Sequence, residues 1–509
     1  MKVESYLNLN ANFLCMKVLL INCPARERAP PYSLNLGLGY LIAVLRRANH
    51  KVEVLDINGY RYGREETEEK IKSIEYDMVC TGGMLTQYKY LKYLAAVLKK
   101  YHPDKPIVIG GNIANEIPHL LFEHTSSEIL MLGEAEITIC ELADALEKGT
   151  PLKNVNGLVF KENGKAIYTA PRKLIDSIDT IPFPEYDLFP VQEYIENYKQ
   201  VANNMTVMPM IITRGCPFVC KFCYHSFMNE KARFRSADNV VAEMKQLKQK
   251  YNIDGIQFYD DLFLLNRKVV MELCDKMIEE KLDLEWQCAT RIEMLDEKII
   301  TKMKEAGCTL ISFGLESGSQ TILDKMRKGI KVKDVIENYK RLRKLGIKPA
   351  GFLMLGYPGE NMQTIRETVD FCKKIELPSL FFFATPYPGT ALWEEWKHKI
   401  SDEDKYIESL NDVYDLKLNM TEFSDEELLK IREDIEEELR RYCYVRPWIA
   451  ARLVMDYYEQ WGLKAAVKAI AKKMYSYLPF TKVESSNYLR RSSDNNTAEI
   501  VEKAATAEV

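Results

Sequence analysis

The sequence predicts an α/β protein made of a doubly wound parallel sheet, then a partial, open (β/α)6 barrel, then a helical C-terminal region. Three observations carry this prediction. Short apolar runs alternate with stretches of helical spacing from Lys17 to about residue 150. A second such series starts at Met208 and continues to about residue 390. A stretch with prolines at 182, 184 and 190 separates the two. A chain of 509 residues also exceeds what a single core accommodates.

Composition narrows the class. Hydrophobic residues at 47% and charged residues at 28% are the balance of an ordinary soluble protein. Lys plus Arg number 70 against 74 Asp plus Glu, so the net charge of −4 argues against a nucleic-acid partner. No apolar run is long enough to span a bilayer and no signal peptide is recognisable; a cytoplasmic protein is expected, and, as a separate expectation, a monomer. Of twelve cysteines, nine are scattered without paired spacing and read as core filler in a reducing compartment.

Residues 1–15 precede a natural first strand and read as a flexible extension. In the front domain, 16–150, the strands are KVLLIN, KVEVLDI, YDMVCTGG, KPIVIGG and SEILMLGEAE, with helical stretches between them. Such sheets bind ligands at the carboxyl ends of their strands, where glycine lets a backbone come close. Gly82, Gly83, Gly110, Gly111 and Gly133 all fall there. Residues 151–205 form a linker: a hairpin turning at Asn163-Gly164, then the proline-rich strap.

The second domain, 206–400, supplies six predicted strands, and barrel chemistry sits at their carboxyl ends. The polar breaks at those ends are Tyr259-Asp260-Asp261, Arg291, Glu316-Ser317-Gly318, Gly356-Tyr357-Pro358-Gly359 and Pro386-Tyr387-Pro388-Gly389. Residues 401–483 are helical, with a helix start at Ser424 and a break near Pro447. Lysines 464, 468, 472 and 473 line one side of a further helix, which either packs on a domain or makes peripheral membrane contact. Residues 484–509 read as a disordered tail.

The densest chemistry is the loop after Met208–Ile212, where Cys216, Cys220 and Cys223 stand at C-x3-C-x2-C spacing. Soft thiolates select zinc or iron–sulfur clusters. Three thiolates on one loop suit a cubane with one open iron. Zinc needs a fourth ligand, and His225 stands one residue beyond Cys223, tighter than finger spacings. Inert buried thiols are the bland alternative; Gly215, Pro217 and Lys221 speak for a loop instead.

With Phe222 as the aromatic before the last cysteine, this loop resembles the signature of the radical S-adenosylmethionine (radical SAM) superfamily. The resemblance implies a [4Fe–4S] cluster on Cys216, Cys220 and Cys223, with S-adenosylmethionine (SAM) on the open iron. It further implies SAM contacts from Tyr259, Asp260, Asp261, Arg291 and Glu316, with Phe222 and Ala384 flanking adenine. Arg291 suits the SAM carboxylate because a guanidinium fork binds it bidentately. The front block, through SLNLGLGYL, IGGN and GEAE, resembles the Rossmann-like cobalamin-binding domain that precedes many radical SAM enzymes, in the group that includes the magnesium-protoporphyrin cyclases. It departs from the D-x-H-x-x-G fingerprint, because the loop after the first strand has no histidine. Cobalamin would then lie along Gly82, Gly83, Gly110, Gly111 and Gly133 without a protein imidazole from that loop; the alternative is a degenerate domain that holds nothing.

The function implied is reductive cleavage of SAM to a 5′-deoxyadenosyl radical and methyl transfer to an unactivated carbon or phosphorus. Alternatives are a radical cyclase, an epimerase or another carbon–carbon bond-forming enzyme, and, from another class, an iron–sulfur scaffold without catalysis. The expected partners are a small-molecule substrate, with a lipid or tetrapyrrole among the candidates, and a reductase such as flavodoxin or ferredoxin.

Overall fold

A computed structural model describes residues 15–24, 31–199, 204–224, 232–378, 380–410, 414–455 and 458. The expectations for the N-terminal extension, His225, the lysine-lined helix and the C-terminal tail lie outside the described residues.

The front domain is a seven-stranded sheet. Its strands are β1 (Lys17–Asn22), β2 (Lys51–Asp56), β3 (Met78–Gly82), β4 (Ile107–Gly110), β5 (Ile129–Met131), β6 (Leu158–Glu162) and β7 (Lys165–Tyr168). They are ordered β2-β1-β3-β4-β5-β6-β7, parallel through β5 and antiparallel beyond it. The order reverses at β1 and β3, as in doubly wound sheets. Five of the six residues of β1 are buried, as expected for a central strand covered by helices on both faces. The hairpin predicted in the linker is the antiparallel edge of this sheet, with Ile129 opposite Phe160. Its turn places Asn163 at φ 51° and Gly164 at φ 76°, the left-handed pair that tight hairpins require. The proline-rich strap packs down on the protein, burying Ile175, Ile178, Ile181, Tyr186 and Phe189. It runs so close to the helix Leu36–Arg47 that a Cβ on Gly39 would lie 2.9 Å from Pro184.

The second domain begins at β8 (Val207–Met210). A short antiparallel pair follows, β9 (Thr213–Arg214) with β10 (Arg233–Phe234), and brackets the cysteine loop. Then come β11 (Gly255–Phe258), β12 (Glu285–Ala289), β13 (Cys308–Glu316), β14 (Lys348–Leu355) and β15 (Phe381–Phe383). Six parallel strands are ordered β15-β14-β13-β12-β11-β8, the open barrel wall that the sequence predicts. Helices cover its outer face, where Trp286 is buried between Phe258 and Phe263 and donates its indole N–H to the Ala306 carbonyl at 2.8 Å.

The C-terminal region ties both domains together. The helix Asp425–Tyr444 opens with a capping box between Ser424 and Glu427, the start read from sequence. It docks on the helix Met362–Lys374 through Glu438, which accepts from Arg366 and Lys373. The chain turns helical again at 447–455, with Pro447 at the first position. The helix Glu403–Ser409 instead reaches the front domain, where Asp404 accepts from the Tyr88 hydroxyl at 2.6 Å and from Lys92. Among the described residues no helix is long and apolar enough to cross a membrane.

Candidate active site

The cysteine loop is anchored from beneath by a buried carboxylate. Asp260, just past the end of β11, accepts from Ile212 N at 2.8 Å, Thr213 N at 2.5 Å and the Thr213 hydroxyl at 2.8 Å, all through Oδ1. Sequence reading turned this carboxylate toward SAM; the structure spends it on the backbone that carries the cysteines. The fold also holds the loop from above. Lys221 N donates to the Met326 carbonyl at 3.0 Å, and Leu392 N donates to the Lys221 carbonyl at 2.9 Å. Gly215, at φ 90°, makes the turn into the loop that an L-residue resists.

Cys220 is buried, Cys216 partly buried and Cys223 exposed at the rim. Burial pushes the Cys216 thiol up, with the charges of Asp261 and Cys220 adding to it and Arg291 opposing. Arg291 lies 3.8 Å over the Phe218 ring, and its Nη1 approaches Cys220 Sγ at 3.7 Å. Its other nitrogens donate to Glu293 and to the Lys328 carbonyl. It is therefore a brace on the loop before it is a carboxylate fork.

Glu316, at φ 63°, turns its carboxylate back along β13 onto Lys328 at 2.8 Å. Lys328 Nζ stands 5.6 Å over the Phe222 ring, so this ion pair connects the β13 end to the cysteine loop. Phe222 and Ala384 share one apolar cluster with Tyr357, Met326 and Met354. Tyr259 is half exposed, its backbone N–H bound to the Met210 carbonyl, and Asp261 is exposed beside it. The Ser317–Ser319 turn packs so tightly that a Cβ on Gly318 would lie 2.7 Å from the Thr368 backbone.

Glu360 is a site residue that sequence reading missed. Its Oε2 accepts from Gly356 N at 2.6 Å and Tyr357 N at 3.3 Å, shaping the loop at the end of β14. Burial pushes this carboxyl up to about 7, against the pull of those two N–H groups. The stabilising contribution of the protonated form is thus full below about pH 4, the unfolded value, and lost as pH rises through the folded value of about 7. Asp260, pushed up to about 7 by burial, acts in the same direction. Glu360→Gln, which keeps the acceptor and removes the charge, is expected to flatten part of the decline in Tm between about pH 5 and pH 8. An unchanged slope in thermal melts across that range would show that the carboxyl does not titrate there.

The glycine ends of the front sheet pack on one another. A Cβ on Gly82 would sit 2.1 Å from the Gly110 carbonyl oxygen, and one on Gly111 would sit 2.9 Å from Gly83 N. Gly133, at φ 74°, donates its N–H to Asn115 Oδ1 at 3.1 Å. Their first effect is close packing of the strand ends, which are open to solvent at Gly111 and beside the exposed Met84.

Two contacts turn those strand ends toward the cysteine loop. Glu116, after β4, accepts from the Tyr224 hydroxyl at 2.7 Å, and Gly389, after β15, lies against both side chains. Glu134 and Glu136, after β5, meet Arg214 and Arg233, which flank the cysteine loop. Arg214 donates to Glu134 at 2.9 Å and Glu136 at 2.6 Å, while Arg233 donates to Glu134 at 2.8 Å. All four side chains are largely buried, with Glu134 and Arg233 each 3% exposed. Burial works to raise the Glu134 carboxyl, but the Arg233 hydrogen bond, the Arg214 charge and the Ile175 N–H outweigh it and hold it low. The GEAE segment is thus a latch between the domains.

These residues fit the groups the sequence implies. Three thiols on one pinned loop, with Arg291 and Lys328 beside them, suit a cubane cluster, whose ligands sit at separate corners. Among the described residues no three His, Cys, Asp or Glu side chains gather around a single-ion site. Gly111 is exposed at these strand ends and Gly110 is buried, so a corrin tail would meet bare backbone at Gly111.

Comparison with known proteins matches two family models: the radical SAM superfamily over residues 210–372 and the B12 binding domain over 26–143. An uncharacterized methyltransferase of Pyrococcus horikoshii is 31% identical over 481 residues, covering 90% of this chain and 99% of its own. The cytidylyl-2-hydroxyethylphosphonate methyltransferase of Streptomyces wedmorensis is 26% identical, over 74% of this chain and 81% of the relative. Among solved structures, the radical SAM methyltransferase TsrM of Kitasatospora setae, with cobalamin and a [4Fe–4S] cluster bound, superposes with a TM-score of 0.65 over 76% of this chain and 78% of that one. At 19% identity that likeness speaks to the fold.

Proposed function

The chain belongs to the radical SAM superfamily, in the branch that carries a B12-binding domain and includes methyltransferases, and from that premise we propose how its own residues divide the work of a cobalamin-dependent methyl transfer. When bound, the cluster cleaves SAM reductively to a 5′-deoxyadenosyl radical and the corrin carries a methyl group. The target is an unactivated carbon or a phosphorus centre of a small-molecule substrate.

Cys216, Cys220 and Cys223 hold the cluster, and Asp260, Lys221 and Arg291 keep their loop in place. Phe222 and Ala384 flank the adenine of SAM, while Tyr259, Asp261 and the Glu316–Lys328 pair border its polar end. Gly82, Gly83, Gly110, Gly111 and Gly133 mark the strand ends that receive the corrin. The single observation that carries this reading is the facing of the two sets of strand ends through Glu116–Tyr224 and the Glu134–Arg214 latch. A substrate held between the two sets of strand ends would then lie within reach of both the cysteine loop and the glycine ends. Electrons arrive from a flavodoxin- or ferredoxin-type reductase. With twelve cysteines free of disulfides, the chain suits a reducing compartment, and we place it in the cytoplasm.

Anaerobic reconstitution with iron, sulfide and cobalamin, followed by reduction and addition of SAM, tests the proposal. The expected products are 5′-deoxyadenosine and S-adenosylhomocysteine together. Release of 5′-deoxyadenosine alone, with cobalamin supplied, removes methyl transfer; release of neither removes the radical chemistry.

A further inference from the structure

The six-stranded sheet of the second domain has a dry face and a wet one. On β14 and β15, Leu353, Leu355, Phe381 and Phe383 are buried against the outer helices. Their neighbours in the alternation, Phe352, Met354 and Phe382, point to the concave side. The register identifies that side. Phe352 pairs with Gly314 and Phe382 with Met354. A Cβ on Gly314 would run into Glu316 Oε1 and Lys328 Nζ. Phe352 and Phe382 therefore share a face with the ion pair that reaches Phe222 of the cysteine loop, and Met354 packs in the same apolar cluster as Phe222.

On this face stands a row of three rings. Phe352 and Phe382 meet edge-on with centroids 6.3 Å apart, and Phe382 and Tyr414 stack at 5.4 Å and 27°. Phe352 is 50% exposed, far more than an inward strand position shows when it only fills a core, and Tyr414, on the loop beside it, is 40% exposed. The cation beside the row, Arg432, donates to the Tyr414 carbonyl at 2.7 Å and pairs with Glu436, and Lys328 and Arg291 on the cysteine-loop side are engaged with Glu316, Glu293 and a backbone carbonyl. A phosphonate or nucleotide head group would have to displace them, whereas aromatic faces and edges attract another flat π-system.

Resting on the function proposed above, we infer that the substrate is a planar, apolar, conjugated ring system that stacks against Phe352, Phe382 and Tyr414.

Equilibrium dialysis of the full-length, anaerobically reconstituted protein with saturating SAM tests this. The probes are pyrenecarboxylate, the saturated tetracyclic cholate with the same carboxylate charge, and 2-hydroxyethylphosphonate. Pyrenecarboxylate is expected to bind about tenfold more tightly than cholate, with the phosphonate weakest. Tyr414→Ala, on the loop side of the row, and Phe382→Leu, which keeps an apolar volume, are each expected to weaken pyrenecarboxylate about tenfold and to leave cholate within about twofold. Equal losses for both probes, no change in either variant, preference for the phosphonate, or competition by SAM itself would overturn the inference. So would failure of every probe to bind, which would mean that another part of the chain covers the rings. Release of 5′-deoxyadenosine by the same unsubstituted preparation keeps the two readings apart. If it occurs without pyrenecarboxylate binding, the substrate class alone fails; if it does not occur, the radical function fails.

Discussion

Cys220→Ala is expected to leave a folded protein that holds no cubane, shows no cluster absorbance near 400 nm (~, the region of thiolate–iron charge transfer) and releases no 5′-deoxyadenosine from SAM. The expectation rests on position as much as chemistry. Cys220 is the most buried of the three thiols, its backbone carbonyl accepts from Cys223 N at 3.2 Å, and Arg291 lies against its sulfur. Loss of an outer partner of a metal site costs roughly 10–100-fold in affinity or activity, so loss of a ligand should exceed that. Cys274→Ala is the matched control: this thiol is buried too, but in the helix Arg267–Glu279 on the outer face. It should keep both the spectrum and SAM cleavage. Turnover surviving in Cys220→Ala, or vanishing equally in Cys274→Ala, would refute the ligand assignment.

Arg214→Met is expected to be the most destabilising single change at the domain boundary. It leaves Glu134 with Arg233 and the Ile175 N–H and strips Glu136 of its arginine partner, both within a largely buried cluster. Removing one partner of a buried ion pair costs about 3–5 kcal/mol, because the remaining charge stays desolvated. Two domains and a cofactor make a single unfolding free energy ill-defined, so the measurement is Tm with limited proteolysis. A drop of roughly 5 °C or more is expected, with earlier cleavage of the strap at 171–190. The double change Arg214→Met with Glu136→Met should recover much of that loss, since it removes the stranded charge and keeps Glu134–Arg233 at 2.8 Å. The direction with pH follows from Glu134, whose carboxyl the arginines hold low. Its contribution is full above about pH 4.3 and lost as pH falls through the depressed value, so the penalty in Arg214→Met should shrink in acid. A single variant that melts with the parent protein would show that the latch bears no load.

Much of the fold was legible because the signals are local. Strand and helix alternate within windows of ten residues, so the five parallel strands of the front sheet and the six of the barrel could be read in order. Ser424 and Glu427 announce a helix start three residues apart, and the structure has the capping box there. The cysteine loop lies in eight consecutive residues, so its chemistry needs no knowledge of the rest of the chain.

Direction and partnership were not legible. The hairpin around Asn163-Gly164 was visible, but its pairing with β5 depends on an edge that only the assembled sheet exposes. Asp260 stands beside Asp261 in sequence, yet one carboxylate is buried under Ile212 and Thr213 and the other faces out, because the strand end points successive side chains to opposite sides.

By itself the sequence determined which elements form, which loop carries the thiols and which family of chemistry they serve. Only the tertiary structure decided that Glu134 meets Arg214 across 80 residues, that glycine ends press on each other, and that Phe352, Phe382 and Tyr414 form one row. Periodicity is a property of neighbours along the chain, whereas a salt bridge or a ring stack depends on where distant backbones come to rest when the core closes.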